Sequence, residues 1–205
     1  MNNFLALCQR SAVIFSIILT VVACDKLDNS KPVSPQVEAP KNTQLESNRV
    51  ELKRGVYGDL TLQPWQAQSE EQTQLLRDLF EGLTAYNAQG NLVPAVAESW
   101  QTKDNKTWIF TLRENAKWSN GDPVTAHDFV FAWRRLVDPA TAAPYASYLS
   151  YLQVENAQDI IDGKKKPAEL GVEAKDDYTF VVHATNPVPY AVSLTTHQSL
   201  LPLPQ

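Results

Sequence analysis

Residues 97–149 read AESWQTKDNKTWIFTLRENAKWSNGDPVTAHDFVFAWRRLVDPATAAPYASYL, and three kinds of local order follow one another within them. Residues 107–113, TWIFTLR, alternate strictly: Trp108, Phe110 and Leu112 point one way, Thr107, Ile109 and Thr111 the other. That is the period of a half-buried strand. Residues 118–123, WSNGDP, are a turn, because Asn-Gly tolerates positive φ and Asp-Pro punctuates the chain. Thr125 with Asp128 three residues on then opens a helix. Its one face carries Phe129, Val130, Trp133, Leu136 and Val137. Asp138-Pro139 ends it, since the residue before a proline avoids helical ψ.

Working outward, residues 145–162 are expected to form a second helix, and Gly163-Lys164-Lys165-Lys166-Pro167 a basic, exposed turn. Asp176-Asp177 precedes a further strand over 178–183, and the last 20 residues, with four prolines, are expected to be loosely organised. Upstream, residues 92–100 are too short and too interrupted by proline to assign. Residues 68–83 place Leu75, Leu76, Leu79, Phe80 and Leu83 at helical spacing, with acids early and Gly82 near the end. Residues 50–57 have strand character. Strands and helices interleave, which makes the fold mixed α/β.

The chain has 205 residues, 18 basic and 23 acidic, for a net charge of -5. An acidic balance argues against nucleic acid as a partner, because phosphate neutralisation needs a basic surface. Both cysteines, Cys8 and Cys24, precede the expected folded body, so no disulfide staples it.

The first 23 residues read as a signal peptide: Arg10, then the apolar run SAVIFSIILTVVA over 11–23. That run fits a secretory core and falls short of the about 20 residues a membrane span needs. It ends Val21-Val22-Ala23-Cys24, which resembles the lipobox of a bacterial lipoprotein, where cleavage before the cysteine frees its thiol for a diacylglycerol. An ordinary signal peptide with an incidental cysteine, or an uncleaved anchor, are the alternatives. Asp25 follows; in enterobacterial lipoproteins an aspartate there favours the inner membrane, so the resemblance implies the periplasmic face of that membrane. Residues 24–48 hold Pro32, Pro35 and Pro40, no aromatic residue and no hydrophobic period. They read as a flexible tether after a lipidated Cys24.

The sequence shows no convincing active site. His127, His183 and His197 have no His partner at i+4, and there is no Cys-x-x-Cys, so no metal is expected. No nucleophile elbow, P-loop or dinucleotide fingerprint occurs. His127 is expected to be exposed. The surplus lies in five tryptophans and seven tyrosines, most of them read as core, although Tyr145, Tyr148 and Tyr151 recur every three residues and could make a partly exposed aromatic stripe.

The run over 97–149, with Arg77-Asp78-Leu79-Phe80-Glu81-Gly82-Leu83 upstream and Pro187-Val188-Pro189-Tyr190 downstream, closely resembles the bacterial periplasmic oligopeptide-binding proteins of ABC importers, of the oligopeptide and murein-peptide class. The resemblance implies periplasmic-binding-protein type II lobes closing over an extended peptide, with no cofactor and no enzymatic step. It implies an oligopeptide ligand and a permease partner in the inner membrane. On this basis 49–86 would begin the first lobe, 87–184 form the small second lobe and 185–205 return toward the first. The rest of the first lobe and a third domain are expected to be missing from this chain. Two contact regions carry over: the loop Gln68-Ser69-Glu70 and Tyr145. The first departs from the family, whose loop there is centred on glycine, where this chain has Ser69 followed by Glu70-Glu71, and whose Leu-Asp-Pro just upstream is here Leu62-Gln63-Pro64. Besides a working solute-binding lipoprotein, a ligand-incompetent remnant and a stand-alone interaction module of the envelope stay open.

Overall fold

The computed structural model describes residues 53–56 and 58–205. The expected signal peptide, Cys24, the tether, and residues 50–52 and 57 of the expected first strand lie outside them. Residues 53–56 form no strand. Among the described residues no helix is long and apolar enough to cross a membrane.

In chain order the elements are α1 (Glu70–Leu79), β1 (Thr84–Tyr86), β2 (Leu92–Pro94), β3 (Ala97–Thr102), β4 (Thr107–Leu112), α2 (Ala126–Val137), α3 (Tyr148–Tyr151), α4 (Ala157–Ile161), β5 (Val172–Asp176), β6 (Thr179–His183) and α5 (Ala191–Leu194), with 3-10 turns at Pro64–Gln66, Pro139–Thr141, Pro167–Glu169 and Gln198–Leu200. The strands make a two-stranded β1–β2 ribbon and a four-stranded antiparallel sheet ordered β3-β4-β6-β5.

The alternation in β4 is realised. Trp108, Phe110 and Leu112 are buried while Thr107, Ile109 and Thr111 are half-exposed. Register carries that apolar face across the sheet: Phe110 stands opposite Trp100 on one side and Phe180 on the other, and Trp108 opposite Val182. Directly paired residues share a face. Helix α2 covers this face, with Phe129, Trp133 and Leu136 wholly buried. Phe180 is the hub. Its ring centroid lies 5.0 Å from Trp133 edge-on, 5.6 Å from Phe129 and 6.3 Å from Phe110.

Asp128, buried in the first turn of α2, anchors the entry to that helix. Its carboxylate accepts from the Thr125 N–H at 2.8 Å and from Trp118 Nε1 at 3.2 Å. The turn before it is as expected, with Gly121 at φ +95 and the Trp118 N–H donating to the Asp122 carbonyl at 2.9 Å. The basic turn over 163–167 is largely exposed, and so is His127.

Three expectations need correction, and one stretch left unassigned gains its elements. The helix over 68–83 is shorter: α1 stops at Leu79, Phe80 is extended, and Leu79 is 57% exposed. The chain leaves the helix because residues 82 and 83 pair with the stretch after β2; the Val96 N–H donates to the Gly82 carbonyl at 2.9 Å and the Ala97 N–H to Leu83 at 3.0 Å. The helix over 145–162 is broken into α3 and α4, because Gln153 and Asn156 adopt left-handed backbone (φ 55 and 66). The Glu155 N–H turns instead to the His183 carbonyl at 2.9 Å, extending β6 pairing. Residues 92–100, unassigned from sequence, supply β2 and most of β3, and β5 was not foreseen. Finally, the last 20 residues are not loose: Val188, Ala191, Val192, Thr195 and 198–201 are buried. Trp133 Nε1 donates to the Leu200 carbonyl at 3.1 Å, and Leu201 joins Ala67, Leu76 and Phe80 in a second, smaller core.

Candidate binding site

The two sequence-predicted contact regions lie on different elements. Ser69 is the N-cap of α1. Its hydroxyl accepts from the Gln72 N–H at 3.2 Å, and Gln72 Oε1 reaches back to accept from the Gln68 N–H at 2.8 Å and the Ser69 N–H at 3.2 Å. This reciprocal cap satisfies donors that a helix start otherwise leaves open. The Ser69 carbonyl is occupied as well, by the Thr73 N–H and hydroxyl, both at 3.0 Å. Glu70 is exposed, and its carboxylate accepts from Gln74 Nε2 at 3.2 Å. Among the described residues no hydrogen bond uses the carbonyl or the side-chain amide of Gln68, which is exposed. Those, together with the Glu70 N–H, are groups in this loop that a peptide main chain could pair with. Beside them, the Glu71 carboxyl is held below the ordinary carboxylate range by its own N–H and the Ser69 hydroxyl.

Tyr145 follows Pro144 and is half-buried. Its ring meets that of His197 edge-on, centroids 5.0 Å apart. Tyr148, one turn later, stacks on the same imidazole at 4.0 Å and 19°. Tyr151 stands at right angles to Tyr148 at 6.3 Å and is 64% exposed. The three tyrosines noted for their spacing therefore do make a partly exposed stripe, organised around a histidine from a distant part of the chain. Burial, with a smaller contribution from Tyr86 on β1, raises the Tyr148 hydroxyl above the usual tyrosine range.

His197 is the residue that sequence reasoning missed. It caps the 3-10 turn Gln198–Leu200, and its Nδ1 accepts from the Ser199 N–H at 3.3 Å and lies 2.8 Å from the Ser199 hydroxyl. Burial, and then the Arg77 guanidinium of α1, push its pKa down to about 4. No hydrogen bond or ring contact joins Tyr145 to Gln68, Ser69 or Glu70 among the described residues. Arg77 lies eight positions beyond Ser69 on α1, about 12 Å along the axis. The charge that acts on His197 thus sits in the last turn of the helix whose N-terminus Ser69 caps. No cluster of three His, Cys, Asp or Glu that could hold a metal ion occurs among the described residues.

The profile of the bacterial extracellular solute-binding proteins, family 5 (middle region), matches residues 91–204, which takes in β2 through the turn at Gln198–Leu200. The chain belongs to family 5. A binding protein of Haemophilus influenzae is 66% identical over 202 residues, 98% of this chain and 39% of that protein. The periplasmic oligopeptide-binding protein OppA of the same organism is 65% identical over 170 residues, 82% of this chain and 31% of OppA. The crystal structure of Haemophilus influenzae OppA in complex with RPPGFSPFR superposes with a TM-score of 0.69 at 75% identity, covering 71% of this chain and 28% of that one. The chain thus spans well under half the length of these family 5 relatives. Its mixed α/β architecture is that of family 5 structures, and family 5 is one of solute-binding proteins rather than of enzymes.

Proposed function

We propose that this chain contributes one wall of an oligopeptide-binding cleft in a lipid-anchored solute-binding protein, which captures peptides at the periplasmic face of the inner membrane and hands them to an ABC permease. The observation that carries the reading is the similarity to a protein solved with a nine-residue peptide, at 75% identity over 71% of the chain. In this reading residues 49–86 belong to a first lobe, 87–184 to a second and 185–205 to the return between them. Gln68 offers an open carbonyl and amide for strand-like pairing with a peptide main chain. The hydroxyl and ring edge of Tyr145 serve the same ligand. Ser69 acts through the shape of the loop, since its N–H and carbonyl are already bonded, and Glu70 offers its backbone N–H beside it. Cys24 carries the lipid and residues 24–48 give it reach. Neither a cofactor nor a bond-making step is involved.

One wall alone holds a peptide weakly, so the test must see weak binding. A tripeptide to pentapeptide is titrated to millimolar concentration into the isotopically labelled chain, and amide and ring signals are followed by NMR. Shifts grouped at 68–70 and 145–151, and lost in Tyr145→Ala at 145–151, support the reading. No shift at either place overturns it. Replacing Cys24 by Ser releases the protein from membranes if the thiol carries the anchor; unchanged membrane association overturns that part.

A further inference from the structure

We propose that neutral His197 is the positioning residue for Tyr145 and Tyr148, and that taking up a proton makes it release them, so that this aromatic wall loosens in acid. The consequence for peptide binding rests on the function proposed above; the latch itself does not.

The imidazole ties together two parts of the chain. On one side are Tyr145 and Tyr148, which meet it edge-on at 5.0 Å and face-on at 4.0 Å. On the other is the segment over 197–201, fixed by the hydrogen bond from Trp133 to the Leu200 carbonyl and by Leu201 in the smaller core. Without His197, no other ring contact among the described residues joins the tyrosines to that segment.

The ring is built in as a neutral base. Nδ1 accepts from the Ser199 N–H, so a proton placed there would set two donors against each other. The groups acting on it are the rings of Tyr145 and Tyr148, the Ser199 hydroxyl, and the Arg77 guanidinium on α1, with Tyr86 acting on Tyr148 in turn. The only formal charge in that set is positive. The other two histidines have a carboxylate at hand: His127 faces Asp177 at 3.4 Å and His183 faces Glu173 at 3.6 Å. Among the described residues no carboxylate pairs with His197. A cation here would gain from the tyrosine face, yet it would lose hydration, break the contact with the Ser199 N–H and meet Arg77. Burial and repulsion win, in line with the depressed pKa.

The experiment uses the whole chain and no peptide. The histidine Cε1–H signals are followed by NMR from pH about 7.5 to about 3.5, with H127N and H183N for assignment. Amide hydrogen exchange at 145–151 is measured over the same range in the wild type, in H197F, which keeps a ring but takes no proton, and in H197Q, which has no ring. The expected midpoint for His197 is about 4. As pH falls from 6.5 toward 4, the wild type should lose protection at 145–151 by more than roughly tenfold relative to H197F, and H197Q should be loose throughout. A midpoint near 6.5, or equal loss in wild type and H197F, overturns the proposal. Should H197F fail to fold, the wild-type titration alone decides. A chain that binds no peptide would leave every one of these readouts unchanged, so the two proposals fail separately.

Discussion

Phe180 is the position at which the sheet and its covering helix are most directly coupled. It sits on β6, an interior strand, paired with Phe110 of β4 and Ala174 of β5, and it is fully buried. Phe180→Ala removes a ring from contact with Trp133, Phe129 and Phe110 at 5.0, 5.6 and 6.3 Å. Truncating a core Phe to Ala costs about 3–5 kcal/mol, more where the cavity cannot collapse. Here collapse is opposed on both sides, by a hydrogen-bonded sheet below and by the rings of α2 above. Each aromatic pair adds about 0.5–1.5 kcal/mol beyond its buried area, so the upper half of the range, about 4–5 kcal/mol, is expected. A domain of ordinary stability has about 5–15 kcal/mol in total, so the variant would be close to unfolding. Phe180→Leu keeps most of the volume and loses the ring contacts; about 1–2 kcal/mol is expected. Equilibrium urea unfolding followed by tryptophan fluorescence measures both, and Trp133 at 5.0 Å is a local reporter. A cost below about 2 kcal/mol for the Ala variant would refute the reasoning, because it would mean that the core refills the space.

Gly171→Ala would place a Cβ 2.7 Å from the Glu155 Cβ and 2.9 Å from the His183 carbonyl oxygen. A loss of about 1–3 kcal/mol, read as a lower melting temperature, is expected. Asp128→Ala strips the cap of α2 and leaves the Trp118 indole N–H without its acceptor; urea unfolding should show a loss of about 1–2 kcal/mol. Acid should destabilise the wild type more than H197F. The folded ring titrates at about 4 against an ordinary 6.5, so its contribution is present above 6.5 and fades as pH falls toward 4. The full shift corresponds to about 3 kcal/mol, reduced to about 1–2 by the ring's residual exposure; unfolding curves at pH about 7 and about 4.5 check it.

Local grammar was readable wherever the interactions are themselves local. Strand β4, the turn closed by Gly121, and helix α2 from Ala126 to Val137 follow from alternation, a turn dipeptide, a capping acid and a proline, all within a few residues of one another. The misreadings arise where distant partners decide. Leu79 and Leu83 share helical spacing, but residue 83 is claimed by Ala97 across a turn. Residues 152–156 interrupt a helical pattern because Val154 bridges to Ala184 and Glu155 to His183. The terminal prolines suggested a loose tail, yet the indole of Trp133 and the small core around Leu76 bind it down. The same holds for the candidate site. Tyr145 and the Gln68 loop came from resemblance, and the tyrosine stripe from spacing. His197 gave no signal, since what makes it notable is a stack across the fold.

The sheet order β3-β4-β6-β5 also dictates when this protein can fold as the chain emerges, N-terminus first, into the compartment where it folds. Strand β4 pairs with β3 soon after both are made, but its other edge waits for β6, where Thr107 meets His183. Everything from α2 to β5 must emerge in between. Such long-range pairing is slow to form. Throughout that interval the hairpin of β3 and β4 presents Trp108, Phe110 and an open edge to the surroundings, a surface suited to mispairing with other chains. A nascent chain of this design therefore gains from a binding factor that shields the hairpin until β6 emerges.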